Sequence, residues 1–209
     1  MSDILPHVPG LLAGLGIFAM GFLVIGPNLA AIIATSLAHG RRRGLAMSAG
    51  IAVGSGLWAA MTVAGLTALV AQYASAMTLL RYLGAAVLLW FAFKSFRAAV
   101  RPNPERQTAT PVRGNAFLSG LTIQMTNPKA ALQWVGIAAV ALAPSAPWQV
   151  GALLIGMGMA LSFAGHGAYA MAFSTAIVGT AYHRLRRWID GALGVVLSTF
   201  ALRLATERT

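Results

Sequence analysis

The chain has 209 residues, 58% of them hydrophobic and only 9% charged, against roughly 45–50% and 25% in an ordinary soluble domain. With so little polar surface to offer water, it is expected to be an integral membrane protein. A net charge of +11 would suit a nucleic-acid binder if basic residues lined a water-exposed face; here they cluster at the ends of apolar runs, which argues against that partner. The lack of cysteine excludes a disulfide framework, thiolate catalysis and any Cys-ligated metal.

The four acidic residues are Asp3, Glu105, Asp190 and Glu207. Asp3 and Arg41 are separated by 37 residues without a formal charge, Arg43 and Arg81 by another 37, and Lys129 and Arg184 by 54. Each run exceeds the ~20 residues a helix needs to cross a bilayer. The start, Met1 to Leu5, has no basic segment and leads into an apolar stretch too long for a secretory signal, so the first hydrophobic segment is expected to be retained. Continuous runs rich in Ala, Leu and Gly predict helices, not the short alternating strands of an outer-membrane barrel.

In chain order, the first span is expected over Val8 to Ala38, interrupted at Gly26-Pro27-Asn28 and followed by the basic loop His39 to Gly44. The second fits Leu45 to Val70, and the third Met77 to Phe96, with Arg81 placed to snorkel toward the headgroups. Residues 94–113 hold five basic residues, Glu105 and three prolines, and read as an exposed linker at the midpoint. The fourth span is expected over Asn115 to Pro144, ended by Ala143-Pro144-Ser145-Ala146-Pro147. The fifth covers Trp148 to Thr180 and the sixth Trp188 to Ala205.

Of the 15 Lys and Arg, 11 fall in the loop after the first span, in the linker and after the fifth span. The positive-inside rule makes that side cytoplasmic and puts both termini outside, with Arg203 and Arg208 counting against this placement. The expected fold class is all-α: a polytopic membrane protein with six transmembrane helices arranged as two three-helix inverted repeats. Residues 1–98 form the first repeat, 99–113 the basic cytoplasmic linker and 114–209 the second. The repeat rests on Gly26-Pro27-Asn28-Leu29-Ala30-Ala31 and, about 100 residues later, Thr126-Asn127-Pro128-Lys129-Ala130-Ala131. Two coincidental proline kinks are the alternative.

Proline inside a span removes a backbone donor and frees a carbonyl that lipid does not satisfy, so such breaks must face protein or water. Where two breaks meet, half-helix N-termini offer N–H groups and positive dipole ends suited to a carboxylate. Asn28 and Asn127 add amides that can bind a substrate or repair the backbone. Lys129 has 15 uncharged positions before it and 54 after; its burial would cost ~2.5–3.5 kcal/mol on insertion scales. It is a candidate for binding an anionic group, the alternative being a lysine that snorkels to the interface.

His166 could carry a coupling proton, or could be hydrogen-bonded across helices. Ser162 lies one turn before it, but no third orienting group or oxyanion motif accompanies them, so the chain is not expected to be an enzyme. Asp190 suits an ion pair or an interface role. Small residues at Gly156, Ala160, Ala164, Ala168, Ala172 and Ala176, and at Gly50 and Gly54, predict close helix packing, within the chain or in a homo-oligomer. Trp134, Trp148 and Trp188 read as interface markers or packing. No Walker A loop is present, which excludes an ATP-driven pump on this chain.

Taken together, Gly26-Pro27-Asn28, Gly40-Arg41-Arg42-Arg43-Gly44-Leu45, Gly50, Gly54, Tyr82-Leu83-Gly84-Ala85-Ala86 and Asn127-Pro128-Lys129-Ala130 resemble, in order and spacing, the LysE/RhtB family of bacterial amino-acid exporters. The resemblance covers nearly the whole chain. It implies a six-helix translocator of the bacterial inner membrane, exporting amino acids or related metabolites in exchange for protons, with its motifs at Gly26, Pro27, Asn28, Asn127, Pro128 and Lys129. Ile25, Gln133-Trp134 and Ala143-Pro144-Ser145 depart from the family's common pattern, which bears on substrate identity.

The expected function is efflux of a neutral amino acid, with Lys129 and the breaks at Pro27 and Pro128 engaging its carboxylate and His166 coupling a proton. The partners are then the amino acid, protons and membrane lipid; no metal or cofactor is expected. An ion or metal-cation exporter of similar architecture, and a membrane scaffold that moves nothing, are the alternatives.

Overall fold

A computed structural model describes residues 3–23, 26–72, 76–100, 114–143, 145–173 and 176–206. These residues hold eight α-helices and no strand. In order they are α1 (Val8–Met20), α2 (Pro27–His39), α3 (Arg41–Gln72), α4 (Ala76–Val100), α5 (Ala116–Met125), α6 (Pro128–Ala141), α7 (Trp148–Ala172) and α8 (Ala176–Thr206). Four stretches among the described residues are long and apolar enough to cross a membrane: Leu5–Leu23, Arg41–Leu66, Tyr82–Val100 and Trp148–Ala172.

Both expected interruptions are present. The first apolar run is divided into α1 and α2, with a single 3-10 turn at Gly21–Leu23 and an extended Gly26 between them. The run after the linker is divided into α5 and α6 at Thr126 and Asn127. In each case proline is the first helical residue of the second piece, where its fixed φ and missing N–H cost least.

The boundaries differ from the sequence expectation at two places. The loop expected over His39 to Gly44 contracts to Gly40, whose φ of +80° turns the chain at a value L side chains rarely adopt, so Arg41, Arg42 and Arg43 open α3. Arg43 donates a hydrogen bond to the carbonyl of Gly114, tying this corner to the start of the second half. Further on, α7 ends at Ala172, and Arg184, Arg186 and Arg187 lie within α8 instead of a loop. No Gly or Pro occurs between Ala181 and Asp190, and arginine is a good helix former. The linker expected at 99–113 falls, from 101 onward, outside the described residues, as does Pro144.

Two apolar clusters are separated by a polar level. One joins Leu15 and Phe18 of α1, Ala59 of α3, Leu88 of α4, Trp134 and Ile137 of α6, Leu154 of α7 and Leu197 of α8. The other joins Leu29 and Ile32 of α2, Met47 and Ile51 of α3, Ala116 of α5 and Ala170 of α7. Between them lie the buried polar residues Ser55, Gln124, Asn127, Ser162 and His166. α4 packs along α8, where Phe96 fills the space beside Gly194, and Asp190 is fully buried in α8.

Glycine sets the closest approach, between α3 and α5. A Cβ at Gly50 would strike the Phe117 carbonyl, and one at Gly120 the Met47 carbonyl, while Gly54 meets the Gln124 side chain. The stripe on α7 behaves otherwise. Gly156, Ala160, Ala164 and Ala168 are exposed, and nothing lies within 4 Å of a Cβ built at Gly156. The packed face of α7 is the line Val150, Leu154, Gly158, Ser162 and His166. Trp134 is core, whereas Trp148 and Trp188 are 78% and 72% exposed.

These contacts separate two glycines of the same chemical type. Gly50→Ala should lower stability by about 1–3 kcal/mol, because rigid backbone must move, whereas Gly156→Ala should leave it unchanged or raise it by up to about 1 kcal/mol through helix propensity. Thermal unfolding of the detergent-solubilised protein measures both; equal midpoints would refute the α3–α5 packing.

Candidate functional site

Each helix break exposes backbone groups, and each is repaired by a side chain from a neighbouring long helix. Pro128 has no N–H for the carbonyl four residues back, that of Gln124. The Asn127 N–H reaches that oxygen at 3.3 Å, and Trp58 of α3 adds a second donor, its Nε1 lying 3.1 Å from it. At the other break Gly26 leaves the helical path, which frees the carbonyl of Phe22; Tyr169 of α7 donates its hydroxyl there at 2.6 Å. Neither Trp58 nor Tyr169 is distinguishable in the sequence from any aromatic in an apolar run.

The amides of the breaks meet directly. Asn127 Nδ2 donates to Asn28 Oδ1 at 3.2 Å, and Asn28 Nδ2 donates to Gln124 Oε1 at 2.6 Å. Gln124 Nε2 donates to Ser55 Oγ at 2.8 Å, and Ser55 Oγ lies 3.0 Å from Ser162 Oγ. His166 closes the series, its Nδ1 lying 3.2 Å from Ser162 Oγ and 2.9 Å from the Ser162 carbonyl. A carbonyl only accepts, so Nδ1 carries the proton and Nε2 is the ring's remaining acceptor. One hydrogen-bonded chain therefore runs from α2 and the α5–α6 break through α3 to α7.

The two breaks are not equivalent. At the second, Asn127 caps α6, its Oδ1 accepting from the Lys129 N–H at 3.0 Å. At the first, Gly26 has no side chain to cap α2, so the first-turn N–H groups there stay open to whatever occupies the adjoining space. Lys129 is half-buried and extends toward that open end: a Cβ built at Gly26 would lie 3.6 Å from its Nζ. A cation and an uncapped helix N-terminus thus converge, an arrangement suited to an anionic oxygen.

Both breaks line a single cavity of about 40 Å³. Of the residues singled out in the sequence, Gly26, Pro27, Asn28, Asn127, Lys129 and His166 line it; Pro128 does not, and shapes it by starting α6. Its apolar side is Phe18, Phe22 and Trp134. The Phe22 ring stands edge-on to His166 at 5.0 Å and to Phe18 at 5.2 Å, and Phe18 contacts Trp134 at 4.9 Å. Gly165 leaves room for Phe22, and Gly158 for Trp134.

Gln124, Ser55 and Gln133 are lining residues that the sequence reading did not select. Gln124 carried one usable signal, its place four residues before Pro128, where the break must free a carbonyl. No group of three or more His, Asp or Glu able to hold a metal ion occurs among the described residues.

Known proteins resemble this chain over most of its length. A family model described as LysE type translocator matches residues 19–208. An uncharacterized membrane protein of Escherichia coli, YahN, is 33% identical over 196 residues, 92% of this chain and 87% of its own. A leucine efflux protein of Klebsiella pneumoniae is 30% identical over 190 residues, covering 88% of this chain and 89% of its own. A threonine efflux protein of Escherichia coli is 26% identical over 191 residues, with 88% and 91% covered. No solved structure matches the chain.

The polar chain makes Gln124 the residue whose loss strands most partners. Gln124→Leu should destabilise the protein by about 1–3 kcal/mol, since the half-buried Asn28 amide N–H loses its acceptor and the buried Ser55 hydroxyl loses one of its two partners. In a double-mutant cycle with Asn28→Leu the second substitution should cost measurably less than it does alone. Additive losses in unfolding experiments would show that the two side chains do not interact.

Proposed function

The chain belongs to the LysE type translocators, and from that membership and the cavity between its two helix breaks we propose that it exports a neutral amino acid or a related metabolite in exchange for protons. Its membrane is the bacterial inner membrane, with the basic segments cytoplasmic. One observation carries the reading: Lys129 Nζ approaches the uncapped N-terminus of α2 at Gly26, beside the cavity.

In this mechanism the substrate carboxylate lies between Lys129 and the first-turn N–H groups of α2, with Asn28 and Asn127 donating from the side. Both halves of the chain contribute, so a bound carboxylate bridges them. The apolar side chain of the substrate meets Phe18, Phe22 and Trp134. At about 40 Å³ the cavity holds a few waters, so binding requires its walls to part, and alternating access supplies that movement. His166 Nε2 takes and releases the coupling proton, while Nδ1 stays held by Ser162.

The architecture we infer is six membrane crossings in two inverted halves, residues 1–98 and 114–209, joined by 99–113. Supporting it, a helix pair broken before a proline, α1–α2 or α5–α6, begins each half and is followed by two long helices. The repairing donors Trp58 and Tyr169 come from the corresponding long helices α3 and α7. The names of the relatives make leucine and threonine the first substrates to assay.

Loss of one charge-assisted contact is worth about 1.5–3 kcal/mol, so Lys129→Gln should weaken substrate binding about tenfold to a hundredfold. Counterflow of labelled leucine or threonine in proteoliposomes, with insertion checked by thermal unfolding, measures this; wild-type transport by a folded variant would end the assignment. His166→Gln should retain counterflow exchange while losing net export driven by a proton gradient. Retained gradient-driven export would move the coupling site elsewhere.

A further inference from the structure

The hydrogen-bonding inventory of the cavity is unbalanced. Three of the four amides facing it have already engaged their oxygens: Asn28 Oδ1 accepts from Asn127, Gln124 Oε1 from Asn28, and Asn127 Oδ1 from the Lys129 N–H. Each of these three has spent only one of its two amide N–H bonds, Asn28 on Gln124, Asn127 on Asn28 and Gln124 on Ser55. Their second N–H groups and the ammonium of Lys129 have no hydrogen-bond partner among the described residues, and the fourth amide, Gln133, has neither its oxygen nor its nitrogen engaged there. With the open first turn of α2 added, the unspent groups are mostly donors, and the Gln133 oxygen is an uncharged acceptor among them.

An amino acid brings two charged groups of opposite demand, a carboxylate that accepts and an ammonium that donates. The carboxylate is well provided for. No lining residue among the described ones is acidic. Of the four acids in the sequence, Asp3 and Glu207 lie at the chain ends and Glu105 in the linker. Asp190, fully buried in α8, is near enough to act on the charge of Lys129 but is not among the described residues that line the cavity. An ammonium placed here would face Lys129 and three amide nitrogens, and its acceptors would be the Gln133 oxygen, hydroxyls and the His166 Nε2, none of them charged.

We propose that this site recognises its cargo by the carboxylate alone, so that 2-hydroxy and 2-oxo acids bind it as well as the amino acids of the same carbon skeleton. The inference rests on the reading of Lys129 as the carboxylate partner. A site whose buried groups were committed to an ammonium would reject an analogue lacking it by orders of magnitude. Here nothing is left unpaired when the ammonium is replaced by a hydroxyl, which can accept from a spare amide N–H and donate to His166 Nε2. The same accounting disfavours a ligand that keeps the ammonium and gives up the carboxylate, because it brings a second cation beside Lys129.

The test is a set of matched ligands on the purified full-length protein, read as ligand-induced shifts of the unfolding midpoint and as inhibition of labelled leucine counterflow in proteoliposomes. The ligands are L-leucine, L-2-hydroxy-4-methylpentanoate, 4-methyl-2-oxopentanoate and L-leucinamide, with the L-threonine, 2,3-dihydroxybutanoate and L-threoninamide series alongside. The expected result is apparent affinities for the hydroxy and oxo acids within about threefold of the amino acid. Leucinamide and threoninamide should be without effect, and Lys129→Gln should weaken the response to every acid by about the same tenfold to hundredfold.

A hydroxy acid more than about tenfold weaker than its amino acid, or an amide as effective as the acid, overturns the proposal. The cargo reading fails separately. Binding of the hydroxy acids without the amino acids would support carboxylate recognition and remove the amino acid as substrate. Binding of the amino acids alone would do the reverse, and no response to any ligand in either assay would defeat both.

Discussion

A backbone group that leaves its helix inside a bilayer has no water to turn to, and the organisation of this protein follows from meeting that constraint twice. Proline at positions 27 and 128 makes the breaks unavoidable. The freed carbonyls of Phe22 and Gln124 are then answered by Tyr169 and Trp58, which fixes how α7 and α3 lie against the broken pairs. The amides of Asn28, Asn127 and Gln124 tie the two breaks to each other and to Ser55 and Ser162. The result is a polar level held between two apolar clusters, with donors from five segments converging within it.

The two breaks solve the problem differently. The second is closed upon itself, because Asn127 caps the helix that it precedes. The first has glycine where a capping side chain would stand, and the nearest cation comes from the other half of the chain. One break is thus satisfied by its own side chain, while the other leaves backbone donors open beside a cation. The aromatic wall of Phe18, Phe22 and Trp134 completes the enclosure, and glycines at 158 and 165 give its rings room.

Much of this is legible in the sequence, and the reasons are physical. Long uncharged runs, prolines within them and a lone lysine are costly features in lipid, so each carries meaning by its expense. Six of the residues chosen on those grounds line one cavity. Gln124 and Ser55 were not foreseen, because an uncharged polar side chain in an apolar helix is cheap enough to be commonplace, and only its neighbours distinguish it. Trp58 and Tyr169 escaped for a related reason: an aromatic side chain reads as bulk, and its single donor matters only once a freed carbonyl is known to lie within reach. For the small-residue stripe of α7, packing within the chain does not hold at Gly156, Ala160, Ala164 and Ala168, because spacing gives a face but not its direction. The face that packs carries Gly158, Ser162 and His166, and the more regular line looks outward. The basic triplet at 41–43 was read as a loop because charge was taken as a mark of irregular chain, whereas one glycine of positive φ sufficed to make the turn.

That single-residue corner also determines which parts of the molecule can travel together. With only Gly40 between them, α2 and α3 cannot separate or swing independently without a change in that one residue's dihedral angles. Between α1 and α2, by contrast, the helix is interrupted by the 3-10 turn at Gly21–Leu23 and the extended Gly26. The mechanical seam in this part of the chain therefore falls within one apolar run and not between two of them. α2 and α3 make one lever, α1 moves with the helices it packs against, and Gly26, which meets the lysine of α6, stands at their join. A rocking motion that opened this seam would alter the surroundings of the cavity first, before any other contact in the bundle had to yield.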